Sequence, residues 1–237
     1  MTSKVRTPFR ISGSAATAAA LILGAAVPNV AAAQATESKS VAAMAPRQEV
    51  VVLSGGCFWG IQAVFEHVRG VTEAVAGYAG GASGTAEYER VSTGLTGHAE
   101  SVRVVFDPTQ VSFDELLQVF FTVAHDPTQL NRQGPDDGSQ YRSAVWYTTE
   151  EQERATKAFI ARLTGTKTFS RPIVTQVSPL SGFYPAESYH QDYAEHHPNA
   201  PYIAINDRPK VERLRTVLPN LYRDPPVLTT ASAANGS

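Results

Sequence analysis

A single cysteine, Cys57, in 237 residues rules out any disulfide within this chain, so the fold has to rest on a hydrophobic core rather than on covalent staples. The composition allows it: 43% of residues are hydrophobic and 18% charged, core enough for one domain, two at most. The thiol sits in "GGCFWG", Gly55 to Gly60. The apolar run Val50-Val51-Val52-Leu53 precedes it, and Ile61, Val64, Phe65 and Val68 follow at helical spacing, so Cys57 marks a strand-to-helix junction. A lone cysteine is most often a small buried hydrophobe. This one has flexible backbone on one side and two aromatic rings on the other. A helix N-terminus favours thiolate, whereas Phe58 and Trp59 exclude water and disfavour it, so the sequence leaves the direction of the thiol's pKa shift open.

The two ends differ from the middle. Lys4, Arg6 and Arg10 precede an uncharged Ala/Leu/Ile-rich run from Ala15 to Val27, and Ala31-Ala32-Ala33 and Ala33-Gln34-Ala35 supply small-residue cleavage sites. This is the pattern of an export signal over residues 1–35. The run is shorter than the roughly 18–20 apolar residues that span a bilayer, although an uncleaved, membrane-tethered form stays open. A periplasmic location is expected. Residues 36–47 read as a flexible linker, 48–220 as the folded domain and 221–237 as a disordered tail. Export sharpens the oddity of Cys57, because an unpaired cysteine in an oxidising compartment points to a reactive thiol or an intermolecular bond. A net charge of -2 with no basic stripe argues against a nucleic-acid partner.

Between the ends, strand and helix patterns alternate. Val71 to Tyr78 and Val102-Val104-Phe106 read as strands, Tyr141 to Tyr147 and Val174 to Val177 as further ones. Ser112 with Glu115 forms a capping box before Leu116, Leu117, Phe120 and Phe121, and Thr149 with Gln152 opens a second long helix. His125 to Gly138 is a polar loop, and Pro209 to Leu218 a short last helix. The loops are too irregular for a doubly wound parallel sheet. The expectation is a single α+β domain, a mixed sheet with helices packed on it.

Three functions remain from the residues alone. A thiol with a histidine partner would make a Cys-His hydrolase or acyl transferase, with His98, His125, His190, His196 and His197 available. A non-catalytic exported binding module is the second. Metal binding is weak, since one cysteine and the His190, His196, His197 group form no known ligand pattern. The third emerges from an ordered set of motifs: "GGCFWG", "GYAGG" (Gly77 to Gly81), "YERV" (Tyr88 to Val91), "TGHAESVRVVFDP" (Thr96 to Pro108), "HDPTQLNRQGPDDGSQYRS" (His125 to Ser143) and "SYHQDY" (Ser188 to Tyr193). Together they closely resemble the type A peptide-methionine sulfoxide reductases over about residues 50–218.

The resemblance implies a two-layer, ferredoxin-like sandwich and a set of roles. Cys57 matches the family's nucleophile, Phe58 and Trp59 the pocket for the substrate methyl group, Tyr88, Glu100 and Tyr141 the groups around the sulfoxide oxygen, and Asp136 the acid completing the site. It implies reduction of methionine-(S)-sulfoxide, free or in proteins, chemistry that needs no cofactor or metal; a monomer is expected. A sulfoxide pairs a polar S–O group with an apolar methyl, so an aromatic wall and hydrogen-bond donors suit it. A neutral carboxylic acid can protonate the oxygen as sulfur is attacked. Many relatives carry further cysteines that form a disulfide with the first; here Tyr202-Ile203 stands where such members often have Tyr-Cys. An external thiol, small or thioredoxin-like, is the expected reductant.

Overall fold

The computed structural model describes residues 48–229. The expected export signal and most of the linker, residues 1–47, lie outside the described residues, as do residues 230–237 of the expected tail. The strands are β1 (Glu49–Gly55), β2 (Val71–Ala79), β3 (Ala99–Phe106), β4 (Arg132–Gln133), β5 (Asp136–Asp137), β6 (Ser143–Tyr147), β7 (Gln176–Pro179) and β8 (Phe183–Pro185). The α-helices are α1 (Phe58–Glu66), α2 (Tyr88–Val91), α3 (Phe113–Val119), α4 (Glu150–Gly165), α5 (Tyr193–His196) and α6 (Arg208–Val217).

Six strands form one sheet in the order β7-β6-β1-β3-β2-β8, and β4 pairs with β5 in a separate two-residue ribbon. All neighbours in the large sheet are antiparallel except β6 and β7. Its centre is a βαββαβ unit: β1, α1 and β2, then β3, α3 and β6, with β1 and β3 inside and β6 and β2 outside. That is the ferredoxin-like arrangement, and the mixed α+β fold expected from the sequence is the one observed.

Period-two alternation assigns the faces. Val51 and Leu53 of β1, Ala74, Ala76 and Tyr78 of β2, and Val102, Val104 and Phe106 of β3 enter the main core. There they meet Ile61, Val64 and Phe65 of α1 and Leu116 and Leu117 of α3. Each such large side chain, fully buried, contributes about 1.5–3 kcal/mol of transfer free energy. The intervening Val52 belongs to a smaller cluster on the opposite face with Ala79, Ala99, Ala144 and Trp146. The same alternation puts Glu100 on the face that α1 covers, in step with Val102 and Val104.

The capping box is present: Ser112 Oγ accepts from the Glu115 amide at 3.3 Å, and Glu115 Oε2 accepts from the Ser112 amide at 2.8 Å. α3 then widens into a π-turn over Phe120–Ala124. This turn presents the Phe120 carbonyl to His125 Nδ1 at 2.9 Å, while Ser143 Oγ bonds Nε2 at 2.7 Å. Nδ1 is therefore the protonated nitrogen, and burial pushes the ring's pKa down to about 4.

Several local expectations need correction. Tyr141 precedes β6 rather than belonging to it, in a 3-10 turn over Ser139–Tyr141. The fifth strand of the pattern runs Gln176–Pro179, later than Val174 to Val177. Residues 221–229, expected as the start of a disordered tail, strap the end of α1. Arg69 N–H donates to Leu221 O at 2.7 Å, Arg223 N–H to His67 O at 2.8 Å and Val227 N–H to Glu66 O at 3.0 Å. Thr229 N–H donates to Asp192 Oδ1 at 3.0 Å. Each of these bonds satisfies a backbone group that a free tail would leave to water.

Candidate active site

Cys57 is the N-cap residue of α1. The chain reaches it through Gly56 at φ +104°, where a side chain would be strained and a Cβ would come within 2.6 Å of Gln133. The Trp59 amide donates to the sulfur, as a helix's first turn allows. Burial outweighs that bond. Only 8% of the residue is exposed, and desolvation, followed by the charges of Glu100, Asp207 and Asp136, holds the thiol well above its ordinary pKa. The sequence left this direction open, and burial decides it.

Glu100 lies beneath the first turn of α1, 2% exposed, with its Oε2 accepting from the Phe58 amide at 3.0 Å. The Cys57 thiol bonds the same carboxyl. Desolvation pushes Glu100 up to about 8, even though both of these hydrogen bonds favour the ionised form. At neutral pH it is chiefly a carboxylic acid, able to donate a proton.

Tyr88 opens α2, where its amide donates to Glu187 Oε1 at 2.9 Å. Tyr141 comes from the other side, on the 3-10 turn. Burial raises both phenols, and both feel the charges of Glu100 and Cys57, so the two rings converge on the thiol–carboxyl pair. Raised phenols stay protonated and remain donors. Asp136 sits on β5, accepts from the Tyr202 hydroxyl, and acts electrostatically on Cys57, Glu100 and Tyr141. Phe58 and Trp59 form an aromatic wall. Phe58 lies 5.0 Å from the His190 ring and 5.9 Å from Tyr78, and Trp59 stacks on Tyr193 at 4.0 Å. The structure thus brings all seven expected residues into one neighbourhood.

Three residues join them that the motifs had not singled out as site groups. The Tyr202 ring meets Trp59 edge-on at 5.9 Å while its hydroxyl holds Asp136. His190 Nδ1 accepts from Trp59 Nε1 at 3.2 Å, and its ring lies 4.5 Å from Tyr88. Tyr193 supplies the stacking face. His190 and Tyr193 stand in "SYHQDY", so the motif carried the signal; Tyr202 carried none beyond its neighbour Ile203. His190 has Trp59, Phe58 and Tyr88 as partners, and the groups acting on Cys57 are carboxyls, which does not favour a Cys-His hydrolase. Among the described residues no group of three or more His, Cys, Asp or Glu side chains could hold a metal ion.

The family model for peptide methionine sulfoxide reductase matches residues 49–220. The chain belongs to this family. It is 50% identical over 189 residues to the protein named peptide methionine sulfoxide reductase MsrA 2 of Mesorhizobium japonicum, covering 80% of this chain and 97% of that one. A second protein of that name, from Synechocystis, is 52% identical over 167 residues, 70% of this chain and 78% of that one. Among solved structures, methionine sulfoxide reductase A of Corynebacterium diphtheriae superposes with a TM-score of 0.58 at 35% identity, covering 67% of this chain and 80% of that one. Mxr1 of Saccharomyces cerevisiae in its reduced form gives 0.60 at 30% identity, over 65% and 88%. Membership makes the chain an oxidoreductase.

Proposed function

We propose that this chain reduces methionine-(S)-sulfoxide, free or within proteins, to methionine, with Cys57 as nucleophile and Glu100 as the acid. The observation that carries the proposal is the buried carboxyl, pushed up to about 8, hydrogen-bonded to the only thiol in the chain. Cys57 Sγ attacks the sulfoxide sulfur while Glu100 gives its proton to the oxygen, and the thiol proton passes to the Glu100 carboxylate. Tyr88 and Tyr141 donate hydrogen bonds to that oxygen as its charge grows. Phe58 and Trp59 hold the methyl group, and Asp136 with Tyr202 closes the polar side. The protonated oxygen passes from the substrate sulfur to Cys57 Sγ as the substrate sulfur–oxygen bond and the transient sulfur–sulfur bond break, so methionine leaves and Cys57 is left as the sulfenic acid. The two electrons come from the thiol.

Recycling needs an outside thiol. One thiol condenses with the sulfenic acid to a mixed disulfide, releasing water; a second thiol reduces that disulfide and frees Cys57. No other cysteine exists in the chain to substitute for the first. The basic, apolar and small-residue pattern of residues 1–35 supports work in the periplasm. The test is consumption of each pure sulfoxide epimer with dithiothreitol present. Loss of the S epimer alone is expected; an unchanged S epimer, or ester cleavage instead, overturns the reading.

A further inference from the structure

A carboxyl group outside the proposed chemistry sits against the helical turn that presents the thiol. Asp207 ends a π-turn over Ile203–Asp207 and is fully buried, 0% exposed. Its Oδ1 accepts from Lys210 Nζ at 3.0 Å, and its Oδ2 has no hydrogen-bond partner among the described residues. The pair lies across Gly60, the third residue of α1. A Cβ built there would come within 2.1 Å of Asp207 Oδ1 and 2.7 Å of Lys210 Nζ, so the glycine is what lets the ion pair reach the first turn. Asp207 is fully buried while Lys210 is partly exposed, and a buried carboxylate is a costly choice where an apolar side chain packs as well or better. At the N-terminus of a helix that otherwise favours thiolate, a carboxylate pushes the other way.

We propose that Asp207 is a positioning residue for the reaction at Cys57: held by Lys210 against Gly60, it seats the turn that presents the sulfur and keeps that sulfur in the thiol form between turnovers. This rests on Cys57 being the nucleophile. In a chain with one cysteine, a resting thiolate open to stray oxidants has no second sulfur in the chain to rescue it, and a thiol oxidises far less readily. The electrostatics agree, since Asp207 follows only desolvation and Glu100 among the influences raising the thiol. The other groups facing Cys57 are Glu100 from β3, Asp136 from β5, and the phenols of Tyr88, Tyr141 and Tyr202. Asp207 itself faces Lys210 and Asp136, and a cavity of about 530 Å³ on its outer side brings Arg208, Glu195, Glu212, Arg215 and His67. On balance Asp207 is raised, by burial and by the Asp136 charge, against the pull of the Lys210 ammonium toward the carboxylate.

The experiment follows alkylation of Cys57 by iodoacetamide against pH in the full chain, with no sulfoxide present. In Asp207→Asn the midpoint is expected to fall by roughly one unit, so that alkylation at a fixed pH below both midpoints runs about tenfold faster. Inactivation by hydrogen peroxide should accelerate alongside. A second uncharged replacement that leaves Lys210 in place, Asp207→Ser, guards against a misfolded first variant and should shift the midpoint the same way. A midpoint that stays or rises in the folded variants overturns the proposal. Because the readout needs no sulfoxide, a shifted midpoint in a protein that reduces no sulfoxide would sink the function and leave the thiol control standing, and the reverse pattern would do the opposite.

Discussion

Cys57 and Glu100 share one dry space: burial raises both, the Glu100 charge raises the thiol further, and the thiol's hydrogen bond pulls Glu100 part of the way back. Two consequences follow for Glu100. As the acid it must be protonated, so kcat/KM should fall as pH rises through about 8, where the carboxyl ionises. Glu100→Gln keeps a hydrogen-bond donor without a transferable proton; the chemical step should slow by about 10²–10⁴ and the alkaline limb tied to this group should vanish. Single-turnover rates across pH check both, and a near-normal rate in the variant removes Glu100 from the role of acid. The second consequence concerns stability. The folded-state value of about 8 lies above the ordinary 4.5, so the folded chain keeps a proton that the unfolded chain gives up. Its favourable contribution is complete below pH 4.5 and is lost as pH rises toward 8, at about 1.4 kcal/mol per unit. Between pH 5 and 8, urea midpoints should therefore drop more in the parent than in Glu100→Gln.

The strand, glycine turn and helix around Cys57 were legible because three local signals agreed: an apolar run, paired glycines, and i, i+3, i+4 spacing in Ile61, Val64 and Phe65. Glu100 was legible in a similar way, since alternation from Phe106 back to Val102 fixes its face two residues earlier. The 3-10 turn holding Tyr141 was not, because Tyr141 to Tyr147 alternates like a strand and only the fold stops β6 at Ser143. Neither π-turn has a sequence signature. The one after α3 is held by His125, which is fixed in turn by Ser143, and the one after Tyr202 carries Asp207 to Gly60, partners distant in the chain. Tertiary contacts of this kind are invisible to periodicity. Gly60 itself read only as part of a glycine-flanked motif. Gly60→Ala, harmless by helix propensity, should instead destabilise the chain by about 1–3 kcal/mol, because the new methyl meets the buried Asp207 carboxylate. A thermal melt measures it; an unchanged or higher Tm contradicts the packing described for the first turn.

Across the whole molecule, the ferredoxin-like core aligns the reactive pair through β1, α1 and β3, and the segment after residue 220 ties down the far end of the same helix. The family match stops at residue 220, while hydrogen bonds from Arg223, Val227 and Thr229 continue beyond it. Composition misread this strap as disordered, since a Pro/Thr/Ala-rich tail has no core of its own and its partners, Glu66, His67 and Asp192, lie elsewhere in the sequence. A chain ending at Asn220 should lose about 2–4 kcal/mol, several backbone bonds at about 1 kcal/mol each, and expose the buried Glu66. Equal urea midpoints for the two lengths would show that the strap adds nothing. The account's central claim is that one sulfur supplies both electrons of the reduction, and it is tested by mixing enzyme with excess methionine-(S)-sulfoxide in the absence of any thiol and counting the methionine formed. One equivalent per chain is predicted, with Cys57 then trapped by a sulfenic-acid probe and none formed by Cys57→Ser; a second equivalent, or methionine from the serine variant, contradicts it.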